Sequence, residues 1–385
     1  MYIQTRTAAR RALLLHFFLF GFVISSVLSR FPDLKQLYRL SSAELSLVLF
    51  FMSVGSLLVM PACAFLVGKY GSKKLSLFSI LMFSLFALFT QVPNTISLYV
   101  IASFFGASIG LSDVALNSNS LIVEKAYKRP VIGLFHAFYY FGVFSGAWLS
   151  ILFLKFNISI QWHHLSIAIA CIIAFLFIQR FYLKETPVAV HNKSHRISFP
   201  KNTLLLIAFI AFFGRIIEGA IADWSTVYMN EIVELSTTFS PLGLAIYAAF
   251  IAVGRFFSDF IRSRYRDDQI LVVSCLTSSL GIALMISYPH VMVVIPALFI
   301  CGIGLSNLIP IIYSIAGNQK GLSPGVGLAT INSISGFGFL FGPSVIGFIA
   351  EKSSLRVSFA YVLLLALIMV FLTLKYKKKQ QTQSN

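Results

Sequence analysis

Asp113, Arg215, Glu218 and Arg255 stand inside long apolar runs of the sequence. A charge at the centre of a hydrocarbon layer costs about 2.5–3.5 kcal/mol, so each must either do chemistry or be paired. Asn117 follows Asp113 by one helical turn, which places a carboxyl and an amide on one face. That combination suits a proton site on a face that lines a cavity: the acid holds a proton in a dry state and releases it once wetted. A static helix–helix contact is the competing reading. Arg215 and Glu218 are three residues apart and can pair on one face, each offsetting the burial of the other. The same pair, facing a cavity, can open to a hydroxyl-rich or anionic solute. The spacing leaves both readings open.

Other polar groups recur at helical spacing. His136, Tyr139 and Tyr140 form a polar-aromatic cluster in which His136 and Tyr140 share a face. Asn307, Tyr313 and Asn332 offer further hydrogen-bonding groups, although buried amides also join helices. Arg255 and Asp259, four apart and followed by Arg262, Arg264 and Arg266, read as a cytoplasmic gate contact. Asp223 and Trp224 are expected near the outer end of an apolar run, with the tryptophan anchored at the interface. His163 and His164 are expected in a short outer loop and, lacking further ligands, do not make a zinc site. Gly142-x-x-x-Gly146 and Gly338-x-x-x-Gly342 read as packing elements. Gly336-x-Gly338 follows no strand and is not a dinucleotide fingerprint.

The elements that hold these residues must be membrane helices. With 58% hydrophobic and 11% charged residues, a soluble fold of 385 residues would lack polar surface. The apolar blocks run for roughly 17 to 25 residues, the length a helix needs to cross about 30 Å of hydrocarbon. An outer-membrane barrel would show short alternating segments instead, and 204–213 is apolar on every face. Charges, prolines and polar clusters bound spans near 12–29, 45–68, 75–91, 95–120, 130–154, 165–183, 202–224, 241–261, 269–287, 291–315, 325–350 and 357–374. The basic start followed by Leu13-Leu14-Leu15 imitates a signal peptide, but without a convincing cleavage site an uncleaved first helix is expected.

The net charge of +17 would suit nucleic acid if it lay on a soluble module, but the Lys and Arg residues fall in short connections between spans. Of the 30, only Arg30, Lys35, Arg39, Lys155, Lys352 and Arg356 fall in outer loops, and Arg215 and Arg255 in spans; the rest face the inside when the amino terminus is cytoplasmic. Both termini are therefore expected in the cytoplasm. Cys63, Cys171, Cys275 and Cys301 are scattered in apolar runs and read as small buried hydrophobes.

The chain also looks halved. Gly110-Leu-Ser-Asp113 recurs as Gly304-Leu-Ser-Asn307, Lys69-Tyr70 as Arg264-Tyr265, and the glycine pair at 142 and 146 as that at 338 and 342, with offsets of 194, 195 and 196. Two parallel six-helix repeats follow, an all-α integral membrane fold with bundles at 1–183 and 202–385 and a polar, proline-bearing cytoplasmic linker at 184–201.

At the level of motifs the chain resembles the major facilitator superfamily, and within it a fucose-permease-like bacterial branch. The resemblance rests on Glu218-Gly-Ala-Ile-Ala-Asp223-Trp224-Ser, Gly304-Leu-Ser-Asn-Leu-Ile-Pro310, and Gly338-Phe-Leu-Phe-Gly342-Pro343 with Ala350-Glu351. It implies two six-helix bundles around a central cavity opened alternately to each side. It also implies a proton role for Asp113 and a solute role for Asn117, since Asp113-x-x-x-Asn117 is similar to the Glu-x-x-x-Asn of fucose permeases. Two departures are visible: the loop Gly68-Lys69-Tyr-Gly71-Ser-Lys-Lys74, whose Lys69 takes the gating position, lacks the acid that usually precedes it, and the first span lacks the permeases' aspartate, the nearest acid being Asp33, beyond Pro32 and expected in the outer loop.

The expectation is a proton-coupled secondary transporter of a small polar, sugar-like solute, monomeric and without cofactor, in a bacterial inner membrane. Asp113 would carry the proton; Asn117, His136, Tyr139, Tyr140, Arg215, Glu218, Asn307 and Asn332 would meet the solute; Lys69, Arg255 and Asp259 would gate. Efflux of amphipathic compounds is the alternative, favoured by 15% aromatic residues. An enzyme would need a constellation such as H-E-x-x-H, and a channel a ring of charges; the sequence has neither.

Overall fold

The computed structural model describes residues 6–127, 131–182, 202–317 and 324–384. The described residues form helices joined by short turns, with no strand, and the chain divides into two compact units: Met1–His191 with Ser236–Ala245, and Asn192–Leu235 with Ile246–Asn385. The linker expected at 184–201 lies outside the described residues.

The first unit contains α1 (Arg6–Leu28), α2 (Phe31–Tyr38), α3 (Ser42–Tyr70), α4 (Ser72–Phe83) continued by a tighter 3-10 stretch over Ser84–Thr90, α5 (Thr95–Tyr127), α6 (Ile132–Lys155) and α7 (Ile160–Ile178). Local chemistry fixes several starts. Ser41 and Glu44 close a reciprocal capping box on α3, with Ser41 N donating to Glu44 Oε2 at 2.8 Å and Glu44 N to Ser41 Oγ at 3.2 Å. Glu124 Oε2 accepts from the amides of Val131 and Ile132, capping α6 from the end of α5.

The second unit contains α8 (Asn202–Glu231), α9 (Leu242–Phe256) from Ile246 onward, α10 (Ser258–Arg264), α11 (Asp267–Ser287), α12 (Val291–Ser306), α13 (Leu308–Gly317), α14 (Pro324–Lys352) and α15 (Leu355–Ser384). Eleven stretches among the described residues are long and apolar enough to cross a membrane, and α9 is a shorter apolar helix. The twelve expected spans are thus present, with the eighth broken at Phe257 and the tenth at Asn307. Pro310 accounts for the second break. It lacks an N–H, and its ring crowds the carbonyl four residues earlier, that of Ser306, where α12 ends.

The repeat is visible in the packing of each unit. In the first, α1 pairs with α6, α4 with α5, and α4 with α7; the corresponding spans of the second pair alike, α8 with α14, α11 with α12, and α11 with α15. Small residues bring the first of these pairs close. A Cβ on Gly21 would strike the Tyr139 carbonyl, and one on Gly142 the Phe18 carbonyl, so α1 and α6 touch backbone to backbone. In the second unit a Cβ on Gly338 would stand 2.7 Å from the Phe212 carbonyl. Large apolar side chains such as Leu58, Ile96 and Met292 point outward, as a hydrocarbon solvent allows and water would not. All four cysteines are buried and free.

Three expectations need correction. His163 and His164 are not in a loop: Ser159 caps α7, its side chain accepting from Trp162 N, so the helix starts early and buries both rings. Trp224 does not anchor at an interface, because α8 continues to Glu231 and the indole is fully buried. Asp33 is not in a loop either; Pro32 and Asp33 open α2, where a proline and an acid suit the first turn.

Candidate functional site

The second unit gathers a cluster of buried charged and polar groups within its spans. On α8, Arg215 and Glu218 meet at 3.4 Å between Nη1 and Oε2. Arg255 comes from α9, with Nη2 3.7 Å from Glu218 Oε1, so two guanidinium groups share one carboxylate. The side chains are 22%, 8% and 10% exposed for Arg215, Glu218 and Arg255. Removing charges this far from water is costly, and mutual attraction with further hydrogen bonds must offset it. Arg215 supplies one such bond, Nη2 donating to Tyr313 Oη at 3.1 Å, and its guanidinium stacks 5.1 Å from the Phe339 ring centroid. Tyr313 in turn donates to Asn332 Oδ1 on α14, and Asn332 is exposed. A chain of hydrogen bonds therefore runs from a buried ion cluster to an accessible amide.

The helix break at Asn307 starts α13, the helix that carries Tyr313. Asn307 itself is buried, its amide donating to Ser306 Oγ at 3.1 Å, at the join between α12 and α13. Asp223 lies on α8 beyond Gly219, half-buried, its Oδ2 3.8 Å from where a Gly219 Cβ would stand.

In the first unit Asn117 Nδ2 donates to Asp113 Oδ1 at 3.0 Å and to the Asp113 carbonyl at 2.8 Å. Both side chains are half-buried on α5. The amide is thereby turned toward the carboxyl, as the spacing suggested. On α6, His136 stands edge-on to Phe17 at 5.4 Å, and Tyr139 packs on Phe20 at 5.1 Å and on Tyr140 at 5.0 Å. The aromatic face of α1 thus seats the cluster.

Of the gating candidates, Lys69 is exposed at the end of α3 with its ammonium 5.2 Å from the Tyr70 ring centroid. Arg255 reaches Glu218, and the Asp259 side chain lies outside the described residues.

Sequence reasoning missed a buried network at the other end of the first unit. Arg30, 2% exposed, donates Nε to Asp33 Oδ2 and Nη2 to Asp33 Oδ1, both at 3.1 Å, and reaches the Ile158 carbonyl at 3.3 Å. His163 Nδ1 lies 3.4 Å from Arg30 Nη1. Burial pushes the Asp33 carboxyl up, and Arg30 beside it pulls it back; burial likewise lowers Arg30, and Asp33 opposes that. His16 and Tyr182 form a second buried contact, Nδ1 to Oη at 2.6 Å, tying α1 to the residues after α7. An Arg-x-x-Asp spacing is the only signal that pointed to the first network, and none pointed to the second.

Two repeats of six apolar spans, with charged groups held inside them, are the architecture of a polytopic membrane transporter. The Major Facilitator Superfamily profile matches residues 13–321, and the chain belongs to that superfamily. An uncharacterised transporter of this type from Yersinia pestis is 30% identical over 354 residues, covering 92% of each chain. Among solved structures, the nucleoside transporter NupG superposes with a TM-score of 0.72 at 15% identity, over 97% of this chain and 99% of its own. The E. coli fucose:proton symporter FucP gives a TM-score of 0.63 at 17% identity, over 95% and 98%.

Proposed function

We propose that the chain is a proton-coupled carrier of a small hydroxyl-rich solute, working by alternating access between its two six-span halves. The observation that supports this best is the chain from Glu218, Arg215 and Arg255 through Tyr313 to the accessible Asn332. Sugar-like hydroxyls can replace links of such a chain one for one, whereas an apolar drug leaves them unsatisfied. Asn117, His136, Tyr139, Tyr140 and Asn307 would complete the solute contacts. Two structural relatives, named as a nucleoside transporter and a fucose:proton symporter, handle sugar-bearing solutes, which favours this class.

Asp113 is the proton site in this reading. Asn117 Nδ2 donates to its Oδ1, and loss of a proton on wetting would couple solute entry to proton movement. Lys69, Arg255 and Asp259 gate, the segment 184–201 links bundles at 1–183 and 202–385, and both termini face the cytoplasm of a bacterial inner membrane; the monomer is the working unit. Counterflow in proteoliposomes tests the reading: labelled sugars and nucleosides should exchange against unlabelled solute with saturable rates. Exchange of amphipathic dyes alone would replace it with efflux.

A further inference from the structure

α15 ends in the run Lys375, Tyr376, Lys377, Lys378 and Lys379. Lys375, Lys378 and Lys379 line a cavity of ≈ 520 Å³ together with Thr382 and with Leu206 of α8. The rotation of the helix is fixed from inside, since Thr373 and Tyr376 are buried and Thr373 Oγ1 lies 3.4 Å from Cys275 Sγ. At roughly 100° per residue, Leu364, Ile368, Phe371, Lys375, Lys378 and Thr382 then share one outward face. Leu364, Ile368 and Phe371 are exposed large hydrophobics. One turn after Phe371 the same face becomes cationic.

A hydrocarbon-facing stripe that runs into a cluster of ammonium groups matches an amphipathic anion with its apolar part along the helix. The first turns of α8, which contribute Leu206 to the cavity, also carry exposed Leu205 and Phe209. A soluble phosphate would use the lysines and leave the stripe without a role. We propose that this cavity binds the phosphate headgroup of an anionic phospholipid, whose acyl chains lie along the exposed face of α15. Lysine ammonium groups act there as point charges on phosphate oxygens, while the Thr382 hydroxyl donates to the Lys378 carbonyl at 3.1 Å and leaves the anion to the lysines.

The test is native mass spectrometry of the purified full chain with cardiolipin, phosphatidylglycerol and phosphatidylcholine at equal concentration. The anionic lipids should be retained about tenfold over phosphatidylcholine, and the K375Q/K378Q/K379Q variant should lose most of that preference at an unchanged melting temperature. Lys352→Gln, at the far end of α14, should keep it. If the triple variant fails to purify, K378Q alone should lower the preference by a smaller factor. Equal retention of phosphatidylcholine, or full anionic preference in the lysine variants, would overturn the proposal. So would displacement of the lipid by millimolar inorganic phosphate or glycerol 3-phosphate, which would assign the cavity to a free anion.

Discussion

Arg255 on α9 reaches Glu218 on α8, with Nη2 3.7 Å from Oε1, while Arg215 holds the other carboxylate oxygen at 3.4 Å. Glu218 is therefore the one anion between two cations, and it is the most buried of the three. The cluster is a two-to-one arrangement that any change in its central member must upset.

Glu218→Gln should destabilise the second unit by about 3–5 kcal/mol, because it leaves two guanidinium groups facing each other in a poorly hydrated site. Thermal unfolding in detergent reads this directly. The double variant E218Q/R255Q should lose less than the sum of the single losses, since it removes an uncompensated charge along with the carboxylate.

Arg30→Gln should change how stability depends on pH. The folded Asp33 carboxyl already lies above its ordinary value of 3.8 through burial, and Arg30 is what restrains it. In the variant it rises further, so the native state binds more protons than the unfolded chain over a wider range above that value. Stability then falls as pH rises through this range, more steeply than in the parent. Denaturation midpoints collected from mildly acidic to neutral pH check the sign; a flat or opposite slope would exclude it.

Gly142→Leu should disrupt the α1–α6 pair, since even a Cβ there strikes the Phe18 carbonyl. Overpacking in a close helix contact costs about 1–3 kcal/mol or more, and the bulk of leucine cannot be absorbed by a side-chain shift because the obstacle is backbone. The expected readout is a lower yield of folded protein and a reduced melting temperature. Gly133→Leu is the control, with open space around its Cβ.

The apolar blocks were legible because a bilayer demands length and hydropathy over whole helices, and the internal repeat because three short matches share nearly one offset. The pairing of Arg215 with Glu218 and of Asp113 with Asn117 followed from helical spacing. What was not legible depends on tertiary contact. The span holding Trp224 seemed to end there, yet α8 runs on because Tyr228 buries its ring and donates to the Met285 carbonyl at 2.8 Å. No periodicity joins Arg255 to Glu218 or Tyr313 to Arg215, which lie on different helices. The early start of α7 was announced by Ser159, a capping residue, but the apolar pattern alone drew the boundary too late.

Proton coupling at Asp113 carries the functional account, and solute-driven proton uptake in proteoliposomes loaded with a pH-sensitive dye measures it most directly. Adding a transported solute should acidify the lumen with the parent chain, and Asp113→Asn should abolish that signal while leaving counterflow exchange of the same solute largely intact. Proton uptake that persists in Asp113→Asn, or exchange lost together with it in a correctly folded variant, would contradict the account.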